Sequence, residues 1–188
     1  MKSRIGVLLG CVVASLIMMI SGAGVAGAAV NRSDFVTQVR AAGLSTEKAA
    51  ALQAKVDGYL VALKGRGKQV SPNQIDLNGA VLSVTVPGEG KARQFVAAGI
   101  PQCAGASANY GWFCAYQFEN YTGDNIGMYS CGYYRIPWIS IGSFQNRQTA
   151  GTVPTVYFDD GTRQNLAPAP SKQSGDVLWF EINTVRNC

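Results

Sequence analysis

Histidine is absent from this 188-residue chain. Its absence removes Ser–His–Asp and Cys–His nucleophilic catalysis, because no imidazole is left to take a proton near neutral pH. Zinc hydrolysis built on histidine ligands goes with it. Charge is also sparse, with Asp, Glu, Lys and Arg making up 14% of the residues. Two carboxylate pairs invite glycosidase-type chemistry, Glu119 with Asp124 and Asp159 with Asp160. Both have a simpler reading: the first flanks a turn corner, and the second is turn chemistry ahead of Gly161. No close CxxC pair occurs, and the cysteine spacings do not suit a zinc site. Gly65-x-Gly67 and Gly88-x-Gly90 lack the strand-and-helix context of a phosphate loop. Heptads and extended low-complexity tracts are missing too. The expectation is a non-enzymatic protein with no cofactor and no metal.

What is present begins with a leader. Lys2 and Arg4 give a positive start, and an uncharged run extends from Ile5 to Val30. It is rich in Val, Leu, Ile and Met up to Ile20, then turns small, and Ala26-Gly27-Ala28 fits a cleavage pattern. The run is long enough to span a bilayer, but its Gly/Ala half anchors lipid poorly. Leu8-Leu9-Gly10-Cys11 resembles a lipobox yet comes too early, with apolar chain continuing past it. The expected organisation is a signal peptide over 1–28, an N-terminal segment over 29–100 and a β domain over 101–188. The expected product is secreted and extracellular, without stable membrane association after cleavage.

Removing the leader leaves four cysteines, Cys103, Cys114, Cys131 and Cys188. An even number in an exported chain implies two disulfides, and three pairings are possible. Cys103 with Cys114 closes a short loop and is the first choice, which ties Cys131 to the terminal Cys188. The full chain's net charge of +5 includes Lys2 and Arg4 of the leader, and the remaining positive excess sits mainly in the first half of the mature chain. Lys64, Arg66 and Lys68 form a small basic knot between glycines. It is too sparse, and too poor in interleaved aromatics, for a nucleic-acid patch; it reads as a solvated turn.

The two halves of the mature chain differ. Ser33 can cap a helix running to Ala42, ended by Gly43, and Ser45 can cap a second. Leu52, Val56, Tyr59, Leu60 and Leu63 recur at helical spacing and share one face. Gln74 to Val86 reads as a hairpin about Asn78-Gly79. A linker through Lys91-Ala92-Arg93 then suggests that this helical and hairpin segment packs weakly on the β domain, or is removed as a propeptide. From Pro101 aromatics become dense. Strands are expected over Trp112–Gln117, Asn125–Ser130, Thr155–Phe158 and Val177–Ile182, with a turn at Asp159-Asp160-Gly161. Such short strands at this spacing indicate an all-β sandwich or Greek key.

Within WFCAYQFENYTGDNIGMYSC, Tyr116-x-x-x-x-Tyr121-x-Gly123 has the spacing with which a βγ-crystallin-type Greek key begins. FCAYQFENYTG, IGSFQNRQTAGT and the final cysteine together resemble secreted actinobacterial proteins of the I36 peptidase-inhibitor family, related to the Streptomyces metalloproteinase inhibitor. The resemblance covers about 101–188. It implies a mainly β, βγ-crystallin-like domain with two disulfides, preceded by the helical and hairpin segment, and an extracellular peptidase as partner. The inhibitory relative closes its protease-facing loop with a local disulfide, and no matching pair stands here. The stretch that aligns with a crystallin calcium site, Gln145-Asn146-Arg147-Gln148-Thr149-Ala150, lacks carboxylates and adds a positive charge, so no tight calcium site is expected.

The candidate partner-binding loop is GYYRIPWISIGS, between Cys131 and Ser143, with Tyr133, Tyr134, Arg135 and Trp138 as contact residues. Tyr133 and Trp138 have an alternative reading as core residues. The other function class is a cell-wall or glycan-binding (or antimicrobial) module, with Tyr110, Trp112, Trp138 and Trp179 as a stacking platform. Intact-mass measurement of the exported protein checks the leader and the cysteines together: the chain should begin at Ala29 and carry no free thiol.

Overall fold

Capping and glycine chemistry define the first two elements. The computed structural model describes residues 32–95, 103–104 and 107–188. The leader over 1–28, Cys11 and the start of the expected β domain at Pro101 lie outside the described residues. Helix α1 spans Arg32–Ala41, so Ser33 falls inside its first turn instead of capping it. The chain leaves it through Gly43 at φ 81°, a left-handed position where glycine carries no Cβ penalty. Helix α2 spans Thr46–Ala62, and the Ser45 hydroxyl accepts the Lys48 amide at 3.3 Å. Leu52 and Val56 of its apolar stripe are buried, with Tyr59 and Leu60 partly so.

The strands are β1 (Lys68–Ser71), β2 (Gln74–Asp76), β3 (Ala80–Ser83), β4 (Cys103–Ala104), β5 (Ser107–Ala108), β6 (Phe113–Phe118), β7 (Thr122–Met128), β8 (Tyr133–Arg135), β9 (Ile141–Asn146), β10 (Thr155–Phe158), β11 (Arg163–Asn165), β12 (Ser171–Leu178) and β13 (Ile182–Arg186). Among the described residues the protein is mainly β, with two antiparallel sheets, two helices and two disulfides. One sheet has the order β1-β2-β3-β7-β6-β9-β12 and the other β11-β10-β13-β8; β4 and β5 form a short separate ribbon. Asn78 and Gly79, both at positive φ, turn β2 into β3 as the Asn-Gly pair requires. The strand expected over Val177–Ile182 is broken instead. Strand β12 ends at Leu178, a 3₁₀ turn occupies Trp179–Glu181, and β13 starts at Ile182 in the other sheet. A buried Trp179 fills that corner, which is why the apolar run there resembles a strand in the sequence. A second short 3₁₀ element, Glu119–Tyr121, with Asn120 and Tyr121 at positive φ, joins β6 to β7, which pair within the large sheet.

The disulfides join Cys103 to Cys114 and Cys131 to Cys188. The first pins the β4–β5 ribbon over Tyr116, and with Ala108 of the ribbon they make a small core on one face of the large sheet. The second fixes the chain end beside the start of β8. Each such bridge adds about 2–4 kcal/mol by chain-entropy reasoning.

The weak packing expected for the front segment is not what the structure has. Strand β3 pairs with β7 over Ala80–Ser83 and Asn125–Met128, so the hairpin continues the large sheet. Leu52, Val56, Ile75 and Leu82 share one core with Phe113, Ile126, Phe144 and Val185. The expected linker is docked as well: Gly123 donates its amide to Gly90 O at 2.8 Å, and Asn73 donates to Arg93 O at 2.8 Å. Glycines and basic residues mark a flexible linker only when their backbone groups lack partners, and here the sheet supplies them.

One polar cluster links the two parts inside this core. The Asp124 carboxylate is fully buried. It accepts from Lys55 Nζ of α2 at 2.7 Å, from the Thr85 amide and hydroxyl at 2.7 Å each, and from the Tyr59 hydroxyl of α2. A carboxylate without water needs such a full set of donors. Replacing Lys55 with Met should strand that charge and cost about 2–4 kcal/mol, reduced from the fully buried case because Lys55 is a third exposed. Denaturant unfolding measures this. Limited trypsin treatment should also leave the two halves together: fragments cut at Lys91 or Arg93 should co-elute under native conditions and separate only after unfolding.

Candidate functional site

The segment from Cys131 to Ser143 divides by burial. Strand β8 alternates as an edge strand over a core should, with Tyr133 at 65% exposure and Arg135 exposed on either side of a buried Tyr134. The Tyr134 hydroxyl donates to Ser130 O at 3.0 Å, and burial, then the neighbouring Tyr129, raise its pKa above that of an ordinary phenol. Trp138 is buried as well. Two of the four expected contact residues, Tyr134 and Trp138, are therefore core residues with little exposed surface. Tyr133 and Arg135 do face solvent, with the Arg186 guanidinium 5.9 Å from the centre of the Tyr133 ring.

Trp138 instead anchors the loop that carries it. Its indole N–H donates to the Tyr59 hydroxyl at 3.0 Å, and its ring meets Trp179 edge-on at 6.2 Å. Trp179 in turn donates to Tyr116 O at 2.7 Å. The Tyr59 hydroxyl donates its own proton to Asp124, so Trp138, Tyr59 and Asp124 form one chain of donors and acceptors. Burial first, and the Asp124 charge second, hold the Tyr59 phenol far above its ordinary range, so it stays protonated as a donor.

Immediately after this anchor the chain emerges. Ile139 is 91% exposed, the most exposed large apolar residue among those described. Ser140 ties the chain down again, its hydroxyl donating to Gln117 O at 2.8 Å. Before the anchor, Ile136 is buried and donates its amide to Asn183 O at 2.9 Å. Gly142 then passes so close to the Trp179 ring and the Tyr116 carbonyl that no Cβ fits. Ile139 is thus held at the tip of a loop fixed on both sides. Nothing in the sequence singles it out, because Ile136, Ile139 and Ile141 look alike in Ile-x-x-Ile-x-Ile. Beside the loop, exposed Ile141 is paired across the ladder with exposed Leu178.

The other expected constellations do not assemble. Tyr110 is exposed and Trp112 packs on Tyr129 at 4.7 Å, but Trp138 and Trp179 are buried, so the four rings make no common stacking platform. Asp124 is turned into the core, whereas Glu119 is exposed and accepts from the Asp176 amide at 3.4 Å. Asp160 accepts from the Thr162 hydroxyl and amide, which lower its pKa in that order; Asp159 accepts from Asn183. The first is a turn interaction, and the second ties that turn to β13. In the aligned calcium stretch, Gln145 and Asn146 are buried. Gln145 accepts from the Ala108 amide, Asn146 donates to Thr152 O, and Arg147 donates to Ala108 O. Among the described residues no group of three or more His, Cys, Asp or Glu side chains is placed to hold a metal ion, and no helix is long and apolar enough to cross a membrane.

Tyr59→Phe tests the anchor. It removes the acceptor of the Trp138 N–H and one donor to Asp124, an expected loss of about 1–3 kcal/mol. The pH dependence is a second readout. An unfolded tyrosine loses its proton above its ordinary value of 10.0, while folded Tyr59 retains its own. The stability from Tyr59 is therefore complete below pH 10 and is lost as pH rises beyond it. Tyr59→Phe should make the alkaline fall in stability shallower, measured by thermal melting across that range.

No family model, no curated protein and no solved structure matches the chain.

Proposed function

We propose that this chain is a secreted, non-enzymatic protein that binds and inhibits an extracellular peptidase through the loop 136–140. Ile139 enters the peptidase's apolar specificity pocket. The observation that carries this reading is the position of Ile139, almost fully exposed between the buried Trp138 and the tethered Ser140. A loop already held in one shape loses little entropy on binding, which is how a substrate-like inhibitor gains affinity. Seating an isoleucine in an apolar pocket contributes about 1.5–3 kcal/mol. Ile141 and Leu178 add an apolar margin next to it. Two disulfides suit an oxidising, extracellular setting.

The scaffold is read as βγ-crystallin-like. Tyr121 packs edge-on against Tyr116 at 5.5 Å, and Gly123 takes φ 79° directly after the corner. The strand–3₁₀–strand corner recurs at Trp179–Glu181, where the sequence spacing does not. The resemblance to I36 inhibitors supports the same reading. The anchor supplied by Trp138 and Tyr59 takes the place of the local disulfide that the inhibitory relative uses.

Inhibition of a panel of metallo- and serine peptidases with apolar specificity decides the matter. The oxidised protein should inhibit at least one of them. Ile139→Asp should weaken inhibition about ten- to a hundredfold, as expected for loss of one buried apolar anchor. Ile139→Leu should retain it. No inhibition at micromolar concentration across the panel, or an Ile139→Asp variant as potent as the parent, overturns the proposal.

A further inference from the structure

The outer face of the smaller sheet carries a second feature, independent of the loop tip. Register places its side chains. Arg135 is opposite Thr184, Thr184 opposite Tyr157, and Tyr157 opposite Arg163. In the neighbouring row Tyr133 is opposite Arg186, Arg186 opposite Thr155, and Thr155 opposite Asn165. The residues between these rows, Tyr134, Val156 and Val185, are buried, so the eight named positions point away from the core. That face presents three arginines, two tyrosines, two threonines and an asparagine, and no carboxylate. The tyrosines lean on one another, Tyr133 to Tyr157 at 5.7 Å.

A small cleft deepens the positive charge at one edge. It has a volume of about 100 Å³ and is lined by Leu63, Arg66, Leu77, Tyr133, Tyr134 and Arg135. Two arginines therefore line one recess, and no acidic residue lines it. Arg66 donates its Nε proton to a backbone carbonyl, Leu63 O, at 3.4 Å. Among the described residues the ion pairs are Lys55–Asp124 and Arg93–Glu89, and neither involves Arg66, Arg135, Arg163 or Arg186. Like charges around one recess repel, and an anion between them relieves that repulsion. The planar fork of arginine suits a carboxylate or phosphate held by two hydrogen bonds.

We infer that this face binds an acidic polysaccharide. One anionic group of the chain occupies the Arg66–Arg135 cleft, and further anionic groups lie across the sheet toward Arg186 and Arg163. The strands are about 4.8 Å apart, so Arg135 and Arg163 stand about 14 Å apart across the sheet, the reach of a few sugar units. Thr155 donates its hydroxyl to Asn165 Oδ1 at 3.0 Å and Thr184 donates to Asn183 Oδ1 at 2.9 Å, which leaves the threonine oxygens as acceptors and the Asn165 amide as a donor for sugar hydroxyls between the charges. The Arg186 guanidinium lies over one face of the Tyr133 ring, and Tyr133 is tilted by 52° against Tyr157, so the two rings offer no pair of parallel faces on which successive bases could stack. That favours a sugar polymer over a nucleic acid.

Binding of the oxidised protein to polygalacturonate, to neutral dextran and to a single-stranded DNA oligonucleotide tests this, by affinity electrophoresis and calorimetry. Polygalacturonate should bind, dextran should not, and raising salt to about 0.5 M should weaken binding strongly because exposed charges are then screened. Arg66→Gln with Arg135→Gln should lower polygalacturonate affinity about tenfold or more, as loss of two charge-assisted contacts predicts. Arg163→Gln with Arg186→Gln should lower it separately. Lys48→Gln with Lys172→Gln removes the same net charge elsewhere and should change affinity less than about twofold. Thermal melting of each variant excludes unfolding, and the two arginine pairs serve as independent tests. Equal losses in the arginine and lysine variants, no binding to polygalacturonate, or tighter binding to the oligonucleotide would each overturn the inference. Peptidase inhibition is a separate readout, so either function can fail alone.

Discussion

The contact between Lys55 and Asp124 is the constraint on which the rest of the arrangement depends. A fully buried carboxylate is tolerated only where a cation and several hydrogen-bond donors converge on it. Those donors come from α2, from the chain just after β3, and from the hydroxyl of Tyr59. Asp124 itself stands in β7, beside the corner with the aromatic spacing. Helix, hairpin and central sheet therefore have one mutual position in which this charge is satisfied. Apolar packing of Leu52 and Val56 alone would accept several positions at similar cost, because burial is not directional. The polar cluster selects one of them.

From that point the constraint extends outward to the surface. Tyr59 accepts from Trp138 while donating to Asp124, so the buried charge also fixes the loop that carries Ile139. Trp179, packed against Trp138 and bonded to Tyr116, connects this anchor to the corner where the chain leaves one sheet for the other. The front helix is accordingly part of what shapes the exposed loop. A segment that resembles a removable propeptide by composition is structurally continuous with the candidate binding surface.

The smaller sheet obeys a different logic. Its inner face is ordinary core, with Val156, Ile182 and Val185 buried. Its outer face collects arginines and tyrosines from strands that lie far apart in sequence. In a linear reading Arg135, Arg163 and Arg186 are scattered single charges in a region of nearly balanced charge. Pairing four strands side by side places them on one surface, and Arg66, which reads as part of a solvated turn, comes to border the same cleft as Arg135. Charge patterning along the chain carries no signal for such a patch, because neighbours in a sheet are set by register and not by sequence distance.

Local features were legible in the residue order alone, since each rests on interactions within a few positions. Ser45 caps α2, Asn78-Gly79 turns the hairpin, Asp160 closes its turn on Thr162, and the spacing of Leu52 and Val56 makes a buried helix face. The mainly β character after the front segment and the short-loop pair Cys103–Cys114 were legible for the same reason: alternation, turn residues and short loops are local; the long-range pair Cys131–Cys188 followed only as what was left over. Which aromatics are buried and which remain exposed was settled by long-range packing. Tyr133 and Tyr134 are adjacent in the chain and opposite in fate, and Trp138 is buried beside an exposed Ile139. Packing also brought the front segment into the large sheet and turned Asp124 inward to Lys55. These outcomes depend on partners far away in sequence, and the free energy that selects them arises only when the whole core closes.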